Sequence, residues 1–253
     1  MKNQSPSSVG LARALANGLD LLEKVAGLEG KPASFSELFQ LSGLPRASFS
    51  RYLRLLTGRG YLSKDPESGL YGLGVRLIPL GRLAADGFDL RRQCRQYLME
   101  LSRESHERAE LVIWDRPGIL FLDIYEAEHQ DELKITHGSW RLATLGGVPE
   151  TVLIAHEPPK EQSRYIQKHL TRPDVKASEK ELSLRLENCR KHGFAANFGT
   201  AVNRIFAPIY HQEGICVAAL GLAVPAYRVR GKKEKLIRLV KQWAKEANAG
   251  VQA

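Results

Sequence analysis

Residues 34–74 constrain this chain more than any other stretch. Ser34-Phe35-Ser36-Glu37 is a capping box, in which a serine hydroxyl takes the N–H three residues on and a glutamate there reaches back. It opens a short helix expected to run through Leu41. Ser42-Gly43-Leu44 makes a turn, and Pro45 suits the first position of a second helix, where a missing N–H is no loss. In that helix Phe49, Tyr52, Leu53 and Leu56 recur at i, i+3, i+4 and i+7, which makes one buried face. The opposite face carries Arg51 and Arg54, beside Ala47 and Ser50, with Arg46 at its start. Five basic residues (Arg46, Arg51, Arg54, Arg59, Lys64) and no acid lie between Gly43 and Lys64. A solvated helix face ordinarily mixes both signs, so a face of one sign fits a polyanion.

Residues 60–64 and 70–73 read as short strands joined by the turn-forming cluster Asp65-Pro66-Glu67-Ser68-Gly69. Helix, tight turn, basic helix and hairpin, in that order, are the parts of a winged helix-turn-helix. That fold lays its second helix in a DNA major groove and its hairpin along the phosphates. Base contacts are expected from Arg46, Ser48, Ser50 and Arg51, and phosphate contacts from Arg54, Arg59 and Lys64.

These residues also carry a family resemblance. Arg13-Ala14-Leu15 in a first helix, Gly43-Leu44-Pro45-Arg46, Arg51 six residues after that proline, and Tyr71-Gly72-Leu73-Gly74 closing the wing resemble the IclR family of bacterial transcriptional regulators. The resemblance covers nearly the whole chain and weakens after about residue 138. It implies an α+β chain: a winged helix-turn-helix over 9–74, a linker helix over 75–89 and a GAF-like effector-binding domain with an antiparallel sheet over 90–253. It further implies a regulator that binds a palindromic operator as a homodimer or dimer of dimers. The start of the first helix would join the dimer contact through Val9 and Leu11.

Composition agrees with a DNA-binding protein of the cytoplasm. The chain of 253 residues carries a formal charge of +9. Residues 1–80 hold ten Lys/Arg against six Asp/Glu, and 228–245 hold eight basic residues against Glu234 alone. The second cluster reads either as a further phosphate contact or as the solvated face of a C-terminal helix, with Leu236, Leu239, Val240 and Trp243 inside. No run approaches the roughly 20 apolar residues of a membrane helix. Residues 1–8 read as a polar, disordered tail rather than a signal peptide. Cys94, Cys189 and Cys216 lack metal-ligand spacing and cannot all pair, which fits a reducing compartment; no cofactor is expected.

Leu11, Leu15, Leu19 and Leu22 form an apolar stripe on the first helix, expected to cover the reading helix over roughly three to four turns. Pro79 implies that the linker helix starts late or kinks. Beyond residue 90 the pattern mixes helix and strand. A helix is expected over 90–107, strands over 110–114 and 119–125, a capped helix from Ser178 through Lys191 and strands over 204–210 and 216–224. The last strand is apolar on both faces, so helices should cover one side of the sheet.

Several positions depart from the family's effector pocket. Pro149 and Glu150 stand where a Gly-Lys pair is usual, and Arg204 stands where a cysteine often precedes Ile-Ala-Ala-Pro. An upstream acidic loop is shortened to Asn197-Phe198-Gly199-Thr200, and Gly221 and Ala223 replace serines of the last strand. Fewer acids and a new arginine favour an anion. The expected ligand is an organic carboxylate with an apolar or aromatic body, held by Arg204, Asn203 and Thr144 against Trp140, Leu145 and Phe206. Alternatively, Arg204 faces solvent or pairs with an acid such as Glu150, and the chain is a DNA-binding scaffold without a small-molecule input.

An enzyme is the remote alternative. His129, His137, His156, His169, His192 and His211 are scattered through turns and helix ends. None belongs to His-Glu-x-x-His or another catalytic or zinc pattern. Cys189 and His192 read as helix neighbours rather than a nucleophile and base.

Overall fold

The capping box forms as its residues dictate. Ser34 Oγ accepts the Glu37 N–H at 3.3 Å, and the Glu37 carboxylate accepts the Ser34 N–H at 2.7 Å. A computed structural model describes residues 8–28, 30–116, 118–126, 138–143, 146–172, 177–211 and 213–251, and side chains from residue 12 onward except that of 142. The chain divides into two units, Met1–Gly87 and Phe88–Ala253.

The first unit runs α1 (Ser8–Ala26), α2 (Phe35–Ser42), α3 (Arg46–Gly58), β1 (Leu62–Lys64), β2 (Tyr71–Leu73) and α4 (Leu77–Asp86). Gly43 ends α2 at φ 66°, a conformation glycine adopts without steric cost. Phe49, Leu53, Leu38, Leu21, Val25 and Leu62 form the core, with Phe35 and Phe39 packed on the Phe49 ring. Strands β1 and β2 pair antiparallel, and a bridge between Ala33 and Tyr71 ties the wing to the helices.

Three expectations are corrected here. Leu15 is 66% exposed and Leu19 49%, while Leu21 and Val25 are buried. The packing stripe of α1 is therefore set by Leu21 and Val25, and the Leu15/Leu19 face is left bare. This helix spans 19 residues rather than three to four turns and begins at Ser8, inside the expected tail. Pro45 is the N-cap of α3 rather than its first residue; its extended ψ of 139° admits the chain into the helix. The side chains of Val9 and Leu11, and residues 1–7, lie outside the described residues. The linker helix does start late, at Leu77, which puts Pro79 in a first turn where no N–H is required.

The second unit runs α5 (Asp89–Ser105), β3 (Arg108–Asp115), β4 (Gly118–Tyr125), β5 (Trp140–Leu142), α6 (Val148–Ala155), α7 (Pro159–Leu170), α8 (Glu179–His192), β6 (Ala195–Asn197), β7 (Val202–Tyr210), β8 (Cys216–Pro225), α9 (Ala226–Val229) and α10 (Lys233–Val251). The strands form one antiparallel sheet in the order β5-β4-β3-β8-β7-β6. Strand alternation divides it into two cores. Leu111, Ile205, Ile209 and Leu222 pack on Leu98 and Leu101 of α5 and Leu236 and Val240 of α10. Val112, Phe121 and Phe206 pack on Val152 of α6, Ile166 of α7 and Leu186 of α8. Helices thus cover both faces rather than one, which is why β8 is apolar on both sides. Among the described residues, no helix is long and apolar enough to cross a membrane.

Candidate functional site

In the first unit, α3 and the wing enclose a hollow of about 500 Å³ lined by Phe35, Ser50, Leu53, Arg54, Thr57, Lys64 and Tyr71, among others. Ser50, Arg54 and Lys64 are brought together there. Arg46, Arg51, Arg54, Arg59 and Lys64 are all exposed. Aromatic faces support three of them: Arg46 stands 5.8 Å from the Phe35 ring centroid, Arg51 5.4 Å from Tyr52 and Lys64 5.5 Å from Tyr71. Such stacking orients a cation without neutralising it. Ser48 lies about 160° around α3 from Ser50 at 100° per residue, and so does not share the face of Arg54. Arg59 is the C-cap of α3. The wing turn is fixed by Asp65, whose Oδ1 accepts both the N–H and the hydroxyl of Ser68 at 2.7 Å.

In the second unit, Arg141 on β5, Glu150 on α6 and Arg204 on β7 line a cavity of about 380 Å³ with Gly147, Arg172 and Asn197. Arg204 reaches the cavity because even-numbered β7 residues face α6. Behind it lies Glu110 of β3, fully buried, with Arg204 Nε at 3.7 Å and Arg108 Nε at 3.1 Å. Burial pushes the Glu110 carboxyl up from its usual range, against the pull of Arg204, Arg108 and Arg141. Arg141 Nη2 lies 3.0 Å from both oxygens of Glu150. Burial likewise raises the Glu150 carboxyl against Arg141, its own backbone N–H and Arg204. A Cβ at Gly147 would overlap the Glu150 carboxylate, so the glycine lets that side chain fold over the start of α6 as it does here.

The expected ligand set is only partly assembled here. Arg204 is in place, but its acid is Glu110 rather than solvent or Glu150. Asn203 points to the opposite sheet face. There Oδ1 accepts the Gly199 N–H at 2.9 Å and Nδ2 donates to the Val224 carbonyl at 3.4 Å, holding the loop before β7. Phe206 is fully buried in the α6–α8 core and does not line the cavity. Trp140 is 46% exposed and donates through Nε1 to the Asp115 carbonyl, away from the cavity. Thr144 and Leu145 lie outside the described residues.

Glu110 and Arg141 were missed because what brings them to the cavity is the sheet and the seat of α6, although Arg108 and Glu150 lie only two and nine residues from them. The available signal was an acid at the head of an otherwise apolar strand, a position that burial makes costly without a cation. Of the eight basic residues in 228–245, Arg228 pairs with buried Glu107 at 2.7 Å and the other seven are exposed around α10. Inside α10, Leu236 and Val240 are buried, and Leu239 and Trp243 partly so.

No cluster of three or more His, Cys, Asp or Glu among the described residues could hold a metal. Tyr210 Oη lies 2.8 Å from His156 Nε2, while His156 Nδ1 is engaged with the Val152 carbonyl. Buried Cys189 has its thiol pushed up to about 12, far from a nucleophile's range. His129 and His137 lie outside the described residues.

A winged helix with a one-sign basic face, followed by an α+β unit built around a charged cavity, defines a DNA-binding transcriptional regulator. Comparisons give the particular family. The IclR helix-turn-helix domain matches residues 14–66, and the bacterial transcriptional regulator IclR C-terminal domain matches residues 83–249. The chain belongs to the IclR family. It is 26% identical over 216 residues to the HTH-type transcriptional regulator KipR of Bacillus subtilis, covering 81% of this chain and 84% of that one. It is 25% identical over 200 residues to XynR of Escherichia coli, covering 77% and 79%. The fold matches an IclR transcriptional regulator from Alicyclobacillus acidocaldarius with a TM-score of 0.80 at 20% identity, over 94% of this chain and 98% of that one. An IclR homolog from Microbacterium hydrocarbonoxydans, complexed with 4-hydroxybenzoate, matches with a TM-score of 0.75 at 20% identity over the same shares. These relatives are regulators and not enzymes.

Proposed function

We propose that this regulator binds a palindromic operator in the cytoplasm as a dimer or dimer of dimers, and that a small organic anion in the second unit alters that binding. The observation that carries the reading is the convergence of Arg141, Arg172 and Arg204 on one cavity in a chain that also holds a winged helix. That a homolog of the same fold has been solved in complex with 4-hydroxybenzoate supports a small organic acid as the class of ligand. The lining here is polar and lacks the aromatic wall expected from Trp140 and Phe206, so a compact, strongly polar anion fits better than an aromatic acid.

Two symmetric copies suit the first unit on physical grounds. Helix α4 buries none of its residues, yet carries Ile78, Leu80 and Leu83. A ten-residue helix is marginal alone in water, and an apolar one calls for a covering surface. A second copy supplies it and doubles the DNA contact.

A second reading has one observation in its favour. Arg204 and Arg141 already have internal acids, as a scaffold with a closed cavity and no effector would require.

Fluorescence anisotropy with DNA from upstream of the protein's own gene, beside a random duplex and over a salt series, tests the DNA reading. Preference for the upstream DNA of about 10³-fold or more supports a specific regulator. Equal, steeply salt-dependent binding removes that site as the operator. An effector must shift DNA affinity by linkage, and a scaffold must not.

A further inference from the structure

The second unit carries its excess charge in one place. Residues 230–245 hold seven Lys/Arg against Glu234 alone, whereas the rest of 88–253 holds nineteen basic residues against twenty acidic. All seven are exposed. Helix α10 turns Leu236, Val240, Ala244 and Ala247 into the core. At about 100° per residue, Lys235, Arg238, Lys241 and Lys245 stand roughly 100–160° around the helix from Val240, on its outward side.

Surface arginines elsewhere in this unit take an acid from the adjacent turn: Arg92 with Asp89, Arg103 with Glu100 and Arg164 with Glu161. The outward cations of α10 do not. Glu234 lies one turn before Arg238 and Glu246 follows Lys245, yet no ion pair joins any of the four to an acid among the described residues. Lys241 stands instead 5.8 Å from the Phe194 ring centroid, and Lys233, at the start of the helix, 4.8 Å from that of Phe198. A ring face orients an ammonium and leaves its charge available.

The chemistry of this face selects its partner. Beyond Tyr227 no large apolar side chain is exposed among the described residues. Protein interfaces are anchored by aromatic and apolar groups and are depleted in lysine, so a row of cations without an anchor suits a partner that is charged along its whole length. From Lys235 to Lys245 the helix rises about 15 Å, and a duplex presents one phosphate per roughly 3.4 Å of axis along each strand, about four in that length. Four cations meet them.

We propose that the outward face of α10, through Lys235, Arg238, Lys241 and Lys245, is a second DNA-binding surface that holds the phosphate backbone of duplex DNA without reading its sequence. The proposal deepens the DNA reading above and rests on it only in taking duplex DNA as the partner. The winged helix selects the site, and α10 adds a salt-sensitive affinity that is the same for every sequence.

The full chain and a variant combining Lys235→Gln, Arg238→Gln, Lys241→Gln and Lys245→Gln are titrated by anisotropy on upstream and random duplexes between about 50 and 200 mM salt. Glutamine removes the charge at nearly the same helix propensity. The slope of log affinity against log salt is expected to be shallower in the variant by about 3–4 for each chain bound, so the native chain loses about 10²-fold more affinity over that range. Preference for upstream over random DNA stays the same. Arg238→Gln and Lys245→Gln singly, each expected to lower the slope by about one, carry the test if the fourfold variant does not fold. Unchanged slopes overturn the α10 surface alone and leave the winged helix in place. A loss of sequence preference overturns the backbone role. Binding of the native chain to phosphatidylserine vesicles that the variant loses, with unchanged DNA slopes, assigns the face to a membrane surface and overturns the proposal. No binding of the native chain to either duplex in low salt overturns this proposal and the DNA reading together.

Discussion

Arg204 Nε lies 3.7 Å from Glu110 Oε2, an ion pair between β7 and β3 that spans the strand between them. Gly221 of β8 stands between Glu110 and Phe206 in register, and the space its missing side chain leaves is taken by the Phe206 ring and the Ile205 carbonyl. Glu110 is fully buried and is compensated by Arg204 and by Arg108, whose Nε lies 3.1 Å from Oε1.

Arg204→Ala should destabilise the second unit. Removing one partner of a buried pair costs about 3–5 kcal/mol, and because Arg108 remains beside Glu110 the lower end, about 3 kcal/mol, is expected at pH 8. The sign with pH follows from the raised Glu110 carboxyl. The penalty is present where Glu110 is ionised and shrinks as pH falls through its folded-state pKa. Urea unfolding of both proteins over a series of pH values below 8 checks this; a pH-independent penalty would contradict it.

Gly221→Ala should be disruptive for a different reason. A Cβ there would overlap the Ile205 carbonyl and the Phe206 ring, so backbone must move, with an expected loss of about 1–3 kcal/mol. Gly18→Ala on α1 meets nothing within 4 Å and should instead gain about 0.5–1 kcal/mol from helix propensity. Denaturant midpoints for the two variants should move in opposite directions.

Ser34→Ala and Ser178→Ala each remove a capping box, at about 0.5–2 kcal/mol. The Glu37 and Glu181 carboxyls are held below their usual range, chiefly by the backbone N–H groups of Ser34 and Ser178. Their stabilisation is present at neutral pH and is lost as pH falls through the depressed folded-state values. Thermal unfolding at pH 7 and in acid should show the native advantage over each alanine variant narrowing in acid.

Arg51 and Lys64 separate base reading from phosphate contact. Arg51→Ala should cost about 1–3 kcal/mol on the operator and relax sequence preference. Lys64→Ala should weaken all duplexes alike and lower the salt slope by about one. Anisotropy on operator and random DNA distinguishes them; equal losses on both for Arg51→Ala would make it a phosphate contact.

Ile78 and Leu83 on α4 are 71% and 69% exposed. Placing glutamate at both should shift sedimentation toward the monomer and weaken operator binding, while random-sequence affinity per chain changes little. Unchanged sedimentation would remove α4 from the subunit contact.

Local signals carried much of this fold. Both capping boxes, the turn at Gly43, the wing strands and the strands on either side of residues 116 and 212 were readable because each depends on residues a few positions apart. The cavity was legible at Arg204 and, as departures from family pattern, at Glu150 and Asn197. Trp140, Asn203 and Phe206 were placed in it on residue type; edge position took Trp140 elsewhere, strand alternation took Asn203, and packing against α6–α8 took Phe206 into the core. Leu15 and Leu19 matched a helical stripe equally well, but packing chose the neighbouring stripe of Leu21 and Val25.

The sequence by itself determined the order of elements, the one-sign face of α3 and the family, since these follow from spacing and turn chemistry along the chain. Which acid meets which arginine was decided only by tertiary structure. Glu110, Arg141, Glu150 and Arg204 come together through sheet order and the seat of α6, and a charge carries no sequence mark of the distant partner that makes its burial tolerable.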